Sequence, residues 1–350
     1  MNNWSTFRGD LQRRGVQSLD YPVIDEPVMR WSYDTGARVE SSPTLWQDRL
    51  FVGSFSGYLY ALSLEDGTEL WRYGTESLVR ASPSVVDGVV YFGADDNRLH
   101  AVDTQTGERR WAFEFGAGGE QSSPAVVDGT VYFGAFDGFV YALDAATGEK
   151  KWSYEAGESM LSSPAVVGDR LFIGVMDGSV HAVHIADGSQ AWVFDAGEEP
   201  IFGSPAVHDG RLFIGSYDQA VYALNIEDGR QAWRTVLGGS IFSSAAIEGG
   251  RVWIGAQDGF YALDPGTGER LWKSSQDTGS VFGSAAVSAI TDRIYIGTSE
   301  SGVLIYQLNG DLVHRLPIED KVWSSVTVAK DGSLYFGSHD GHIYAFGSAP

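Results

Sequence analysis

Apolar residues along this chain fall in short runs, rarely longer than five, separated by polar turns, and no stretch keeps the three-to-four spacing of an amphipathic helix. Within one stretch, Ala125-Val126-Val127, Val131-Tyr132-Phe133, Phe139-Val140-Tyr141-Ala142-Leu143 and Lys151-Trp152-Ser153-Tyr154 are rich in β-branched and aromatic residues. Between them lie Asp128-Gly129, Phe136-Asp137-Gly138 and Ala146-Thr147-Gly148, whose glycines supply the positive φ that hairpin turns need. The pattern predicts four antiparallel strands in about forty residues, which is one propeller blade.

The same unit recurs eight times. A glycine after an apolar or aromatic pair stands at Gly53, Gly93, Gly134, Gly174, Gly215, Gly255, Gly297 and Gly337. In phase with it runs Ser-Ser-Pro or a relative, at Ser42, Ser82, Ser123, Ser163, Ser204, Ser244, Ser284 and Ser325. A third series is Trp31, Trp71, Trp111, Trp152, Trp192, Trp233 and Trp272, with Val313 or His314 where an eighth is due. The last unit, from Ser324 to Ala345, stops after three strands, whereas the first complete unit is preceded by an orphan strand, Met29-Arg30-Trp31-Ser32-Tyr33. These fragments complete each other. The expected fold is all-β, an eight-bladed β-propeller of four-stranded antiparallel blades, closed by the amino-terminal strand joining the last blade. One domain spans residues 1–350, with 1–27 as leader, 28–34 as closing strand and 35–350 as repeats. A solenoid would need atypical caps instead of complementary half-units.

Composition narrows the function classes. The 44 glycines and 11 prolines fit many tight turns, and 46 acidic against 24 basic residues give a net charge of -22. Nucleic acid is disfavoured because phosphate neutralisation needs Lys/Arg clusters, and no basic run exceeds a dipeptide such as Arg13-Arg14. The acidic coat suits solubility or a high-salt, halophilic setting, and both remain open. There is no cysteine, hence no disulfide, thiol nucleophile or thiolate metal site. No apolar run reaches the ~18 residues of a membrane span, and Met1-Asn2-Asn3-Trp4 has no signal-peptide character. As written the chain is expected to be cytoplasmic and monomeric, or extracytoplasmic if a leader has been removed. Asn3-Trp4-Ser5 and Arg8-Gly9-Asp10 match short glycosylation and adhesion patterns that arise easily by chance.

The run from Ala142 to Trp152, with Asp144, Thr147 and Gly148, resembles the tryptophan-docking repeat of pyrroloquinoline-quinone-like (PQQ-like) propellers, as do 101–111 and 262–272. Looser copies carry Asp66, Asp187 and Asp228 where the threonine stands, and Phe7-Arg8-Gly9-Asp10 is similar to the leader segment of many such proteins. The resemblance implies eight blades locked by Trp31, Trp71, Trp111, Trp152, Trp192, Trp233 and Trp272. It does not fix function, because the family includes quinoprotein dehydrogenases and an outer-membrane assembly lipoprotein. A dehydrogenase of this kind implies pyrroloquinoline quinone with calcium, a vicinal disulfide and an aspartate base. The disulfide is impossible here.

Catalytic patterns are weak. His181 and His184 lie three apart on one predicted strand and project to opposite faces, while His339 and His342 flank the Asp340-Gly341 turn and could converge. Gly297-Thr298-Ser299-Glu300-Ser301 lies between two strands instead of a strand and a helix, and Gly116-Ala117-Gly118-Gly119 lacks the lysine and helix of a phosphate loop. Neither a catalytic set nor a metal site is assigned.

A binding face is more legible. The position before each Ser-Ser-Pro is apolar at Val39, Val79, Met160, Ile201, Ile241, Val281 and Val322, with Glu120 the exception. The next position, turned toward the axis by alternation, reads Glu40, Arg80, Gln121, Leu161, Phe202, Phe242, Phe282 and Trp323, a polar arc facing an aromatic one. Phe55, Tyr217 and His339 stand at a second variable position, in the loop after the repeated glycine. These residues are expected to line a mouth that binds a protein partner or small ligand, or else to plug the channel as core. The expected function is a non-enzymatic binding or scaffold module without cofactor. The alternative is a quinoprotein-like oxidoreductase.

Overall fold

A computed structural model describes residues 5–16, 21–116, 118–119, 122–275 and 278–349. Eight four-stranded antiparallel sheets form a ring, with no α-helix among the described residues and hence none long and apolar enough to cross a membrane. In blade 1 the strands are β2 (Thr44–Trp46), β3 (Arg49–Gly53), β4 (Tyr58–Ser63) and β5 (Glu69–Gly74), following β1 (Val28–Asp34) in the chain. The same order repeats in blades 2 to 7, over residues 84–114, 125–155, 165–195, 206–236, 246–273 and 286–316. Blade 8 takes three strands from 327–347 and its outer strand from β1, which runs antiparallel to His342–Gly347 with Trp31 opposite Ala345. Both the blade count and the closure expected from the half-units are met.

Side-chain size explains the stacking. The apolar residue that leads one blade, such as Val79 or Ile241, is fully buried against the repeated glycine of the blade before it, Gly53 or Gly215. A Cβ on Gly53 would lie 2.4 Å from a Val79 methyl, so the blades could not approach as they do. The two serines of each Ser-Ser-Pro have separate tasks. The first, where present, accepts the backbone N–H of its own blade's repeated glycine, as Ser41 does from Gly53 and Ser122 from Gly134 at 3.0 Å. The second reaches the neighbouring blade, as described below.

At the periphery each outer strand carries a bulge just before its tryptophan, for example opposite Ala61–Leu62, and the added local twist turns the ring toward the next blade. Indole Nε1 of Trp31, Trp71, Trp111, Trp152, Trp192 and Trp233 donates to a main-chain carbonyl of the following blade at 2.9–3.2 Å. The ring lies flat on the glycine of that blade's third-to-fourth turn, and Trp272 covers Gly310 in the same way.

The seam between blades 7 and 8 lacks both parts of this joint. His314 pairs with Ile305 in the register that Trp272 keeps with Ala262, so His314 holds the vacant tryptophan position. Blade 8 has no third-to-fourth turn to dock on, because its outer strand comes from the other end of the chain. The leader fills the gap: Tyr21 is buried at 3% exposure in the core shared by blades 7, 8 and 1, accepts from Thr291 Oγ1 at 3.0 Å, and Pro22 and Ile24 cover Gly332.

Candidate functional site

The loops that precede each inner strand and those that follow each repeated glycine meet at one end of the ring. Because the leading apolar residue is locked between blades, the next side chain points to the axis. Phe202, Phe242, Phe282 and Trp323, from four consecutive blades, form a continuous arc there with centroid spacings of 4.9, 4.8 and 4.8 Å. Phe202/Phe242 and Phe282/Trp323 are stacked, with interplanar angles of 15° and 29°. Tyr217, the most exposed of the group at 37%, stands edge-on to Phe202 and Phe242. At the other end, His339 packs 4.4 Å from Trp323, whose Nε1 donates to Ser299 Oγ at 3.1 Å.

Ionic contacts continue the circuit from His339. Its Nε2 lies 3.2 Å from Glu40, which is 4.0 Å from Arg38. The guanidiniums of Arg38 and Arg80 sit over the Phe55 ring at 4.6 and 4.8 Å, and Arg80 pairs with Asp95 at 3.0 Å. Leu161 lines the well between this arc and Phe202. Glu40, Arg80, Leu161, Phe202, Phe242, Phe282 and Trp323 therefore border one cavity, with Phe55, Tyr217 and His339 packed around its edge. Gln121, like Glu120, lies outside the described residues. All four arc aromatics are half-buried, which is neither the full burial of core filler nor free exposure.

Beneath this rim lies a layer of hydroxyls. The second serine of each Ser-Ser-Pro lines the cavity, and its Oγ accepts the backbone N–H of the matching serine in the preceding blade. The links run from Ser42 to Ser82, Ser123, Ser163, Ser204, Ser244 and Ser284, and from Ser325 back to Ser42, at 2.9–3.0 Å. The cavity above holds about 180 Å³.

The leader closes it from below. Backbone carbonyls of Ser5, Leu11, Gln12, Arg14 and Gly15 accept N–H groups from the inner strands of blades 2, 4, 5, 6 and 7, at Val85, Val166, Val207, Ile247 and Val287. Those inner strands would otherwise present unpaired edges to the channel. Phe7 reaches the floor of the well. Arg8 and Arg13 are fully buried and held by carbonyls. Arg8 donates to Ala245, Ala285 and Arg13, and Arg13 to Phe7, Ser123, Pro124 and Pro164, with Thr6 Oγ1 in addition. Burial lowers their guanidinium pKa values to about 9 and about 10. Arg8-Gly9-Asp10 is thus a structural plug, not an exposed adhesion loop. Its importance escaped the repeat pattern because the leader repeats nothing.

Other polar clusters have structural explanations. Ser179, His181 and Asp177 do meet, but Ser179 Oγ contacts both the Asp177 carboxylate at 2.5 Å and His181 Nε2 at 2.7 Å, while His181 Nδ1 faces the Tyr154 hydroxyl. The carboxylate therefore does not orient the imidazole as a nucleophile's base requires, and burial lowers the His181 pKa. His342 lies by Asp340 and Tyr344, whereas His339 lies by Glu40 and Trp323, so the two are engaged with different neighbours.

A family model described as outer membrane protein assembly factor BamB matches residues 27–134, 114–204 and 176–350. No curated protein matches the sequence. Among solved structures, BamB from Moraxella catarrhalis is 22% identical, covering 92% of this chain and 100% of its own, with a TM-score of 0.78. A europium-containing methanol dehydrogenase is 13% identical over 99% and 98% of the two chains, with a TM-score of 0.87. Quinohemoprotein alcohol dehydrogenase from Comamonas testosteroni is 15% identical over 99% and 81%, with a TM-score of 0.85. Likeness at such identities shows the propeller fold alone.

Proposed function

Since the chain belongs to the family described as outer membrane protein assembly factor BamB, we propose that it is a non-enzymatic binding module whose mouth receives an amphipathic segment of a partner protein. The observation that carries this reading is the half-buried arc Phe202–Phe242–Phe282–Trp323 facing the ionic arc Glu40–Arg38–Arg80 over a floor closed by the leader. Aromatic side chains and arginine dominate binding hot spots, and rings already stacked in the free protein lose little freedom on binding. With the floor closed, the mouth is a receptacle and not a passage.

The quinone reading fits these residues poorly. A planar tricyclic cofactor needs a slot between two faces, but the arc rings lie 4.8–4.9 Å apart, two pairs stacked and Phe242/Phe282 tilted by 46°, which leaves no room for another ring between them. The well of about 180 Å³ is smaller than the ~300–1,000 Å³ of small-molecule pockets. Among the described residues, the nearby carboxylates Glu40 and Asp95 are engaged by His339, Arg38 and Arg80, and no oxygen-rich calcium set is formed.

The test pairs Phe242→Ala and Trp323→Ala in capture from source extract and in thermal melts. Partner retention should weaken by about 2 kcal/mol or more per substitution while the melt moves little. A large stability loss with unaltered capture would sink the docking role. Adding pyrroloquinoline quinone and calcium should give no dye-linked alcohol or sugar oxidation, and turnover abolished by a chelator would overturn the non-enzymatic reading.

A further inference from the structure

The layer between the aromatic rim and the leader has a donor surplus that docking at the rim does not use. Each of seven serine hydroxyls spends a lone pair on a neighbour's N–H, and among the described residues none has a protein acceptor for its own proton. The eighth, Ser325 Oγ, makes no hydrogen bond among the described residues, and the residue is 4% exposed and lines the well. These hydroxyls open on one well, so protons without a protein acceptor offer an occupant on the axis donors from many sides.

Charge in the layer below has the same sign. Arg8 binds the carbonyls of Ala245 and Ala285, and Arg13 those of Ser123, Pro124 and Pro164. Both guanidiniums therefore sit within about one residue of the serine ring. Their hydrogen bonds go to neutral acceptors, and Asp10, which is paired with Arg14 at 2.8 Å and partly exposed, offsets their charge only in part. Above the ring, Phe202 stacks on Phe242 and Phe282 on Trp323, so in these pairs the inner faces are covered and ring edges are left for the well, and the edge of an aromatic ring is its positive side.

From this convergence of hydroxyl donors, ring edges and buried guanidiniums we infer that the axial well is a binding site for a small anion, either a halide or a carboxylate group, seated in the serine ring. The site lies below the aromatic rim of the same well and does not rest on the docking role proposed for that rim, and an anion there adds to Asp10 in offsetting the burial of two like charges.

Bromide is the probe. Crystals of the full chain soaked in sodium bromide should show an anomalous peak on the axis inside the serine ring. In solution the protein should broaden the bromide NMR line and gain a few degrees in Tm as bromide replaces a bulky sulfonate at constant ionic strength. Ser325→Asp supplies a carboxylate to the ring from the chain itself. Its broadening and bromide-dependent Tm gain should vanish, with a bromide-free Tm no lower than the wild type's. Acetate that displaces bromide from the wild type would identify a carboxylate as an occupant, and acetate without effect would identify a halide. Water on the axis with no anomalous peak, or equal line broadening by the wild type and Ser325→Asp, overturns the inference. Should Ser325→Asp not fold, the wild-type bromide peak decides alone.

Discussion

Replacing Trp192 by alanine tests how the blades are joined. Its ring is 8% exposed, tilts against Phe172 at 5.7 Å, and lies on Gly229, where a Cβ would come within 2.7 Å of ring carbons. The indole N–H is bonded to the Ile226 carbonyl at 2.9 Å, but that carbonyl also accepts from Arg170 at 2.8 Å and keeps a partner when the indole is removed. The loss is therefore mainly packing, about 3–5 kcal/mol, without the further ~1–3 kcal/mol of an orphaned polar group. Gly229→Ala attacks the same joint from the other side: at φ +71° the alanine costs about 1–2 kcal/mol in backbone strain, and its methyl also displaces the ring. Once Trp192 is gone the methyl has room and only the backbone cost remains, so the double variant should be more stable than the sum by about 1–2 kcal/mol. Urea unfolding followed by far-UV circular dichroism gives all four corners of the cycle. Strict additivity, or a Trp192→Ala cost under about 1 kcal/mol, would refute the joint as the source of blade cohesion.

Deleting residues 1–34 removes both the plug and the outer strand of blade 8, exposing the edge of His342–Gly347, and should yield an aggregating species; a monomeric product with an unchanged melt would argue against closure by β1. Burial raises the Tyr91 and Tyr335 pKa values to about 12 and raises Tyr295 further, so their stabilising contribution is full below about pH 10, where the unfolded chain ionises, and is lost as pH rises toward about 12. Arg8 and Arg13, lowered to about 9 and about 10, act in the opposite direction, but the tyrosines outnumber them; Tm should fall between pH 10 and 12, less steeply in Tyr335→Phe, and a rising Tm across that window would contradict the assignment. With a net charge of -22, stability should increase from low to molar potassium chloride, and a flat response would assign the acidity to solubility alone.

Features that recur were legible because every blade meets the same packing problem. The tryptophan series, the repeated glycine and the apolar residue before Ser-Ser-Pro each correspond to one contact made around the ring. Their irregularities were harder to interpret from the pattern alone. His314 reads as a decayed repeat, yet it stands at the seam whose receiving turn does not exist, and a tryptophan there would have no glycine to cover. Alternation likewise placed Glu40, Arg80 and the aromatic arc around one opening. It gave no sign that Arg38 and Arg80 would bracket Phe55, because that contact depends on two loops from different blades.

The leader was illegible for the opposite reason. Arg8 and Arg13 adopt positive φ, at 65° and 56°, and most of their partner carbonyls lie 110 to 277 residues away, so neither periodicity nor local propensity marks them. Yet this segment decides what the ring can do. Its carbonyls and arginines tie together blades 2 to 7, Tyr21 seals the seam between blades 7 and 8, and β1 completes blade 8. An eightfold repeat alone would leave an open polar channel with the inner edges of its blades unpaired. One unrepeated strand end turns that channel into a blind well with Phe7 at its floor and the two buried arginines behind it, and the distinction between the two ends of the ring, on which any binding role depends, originates there.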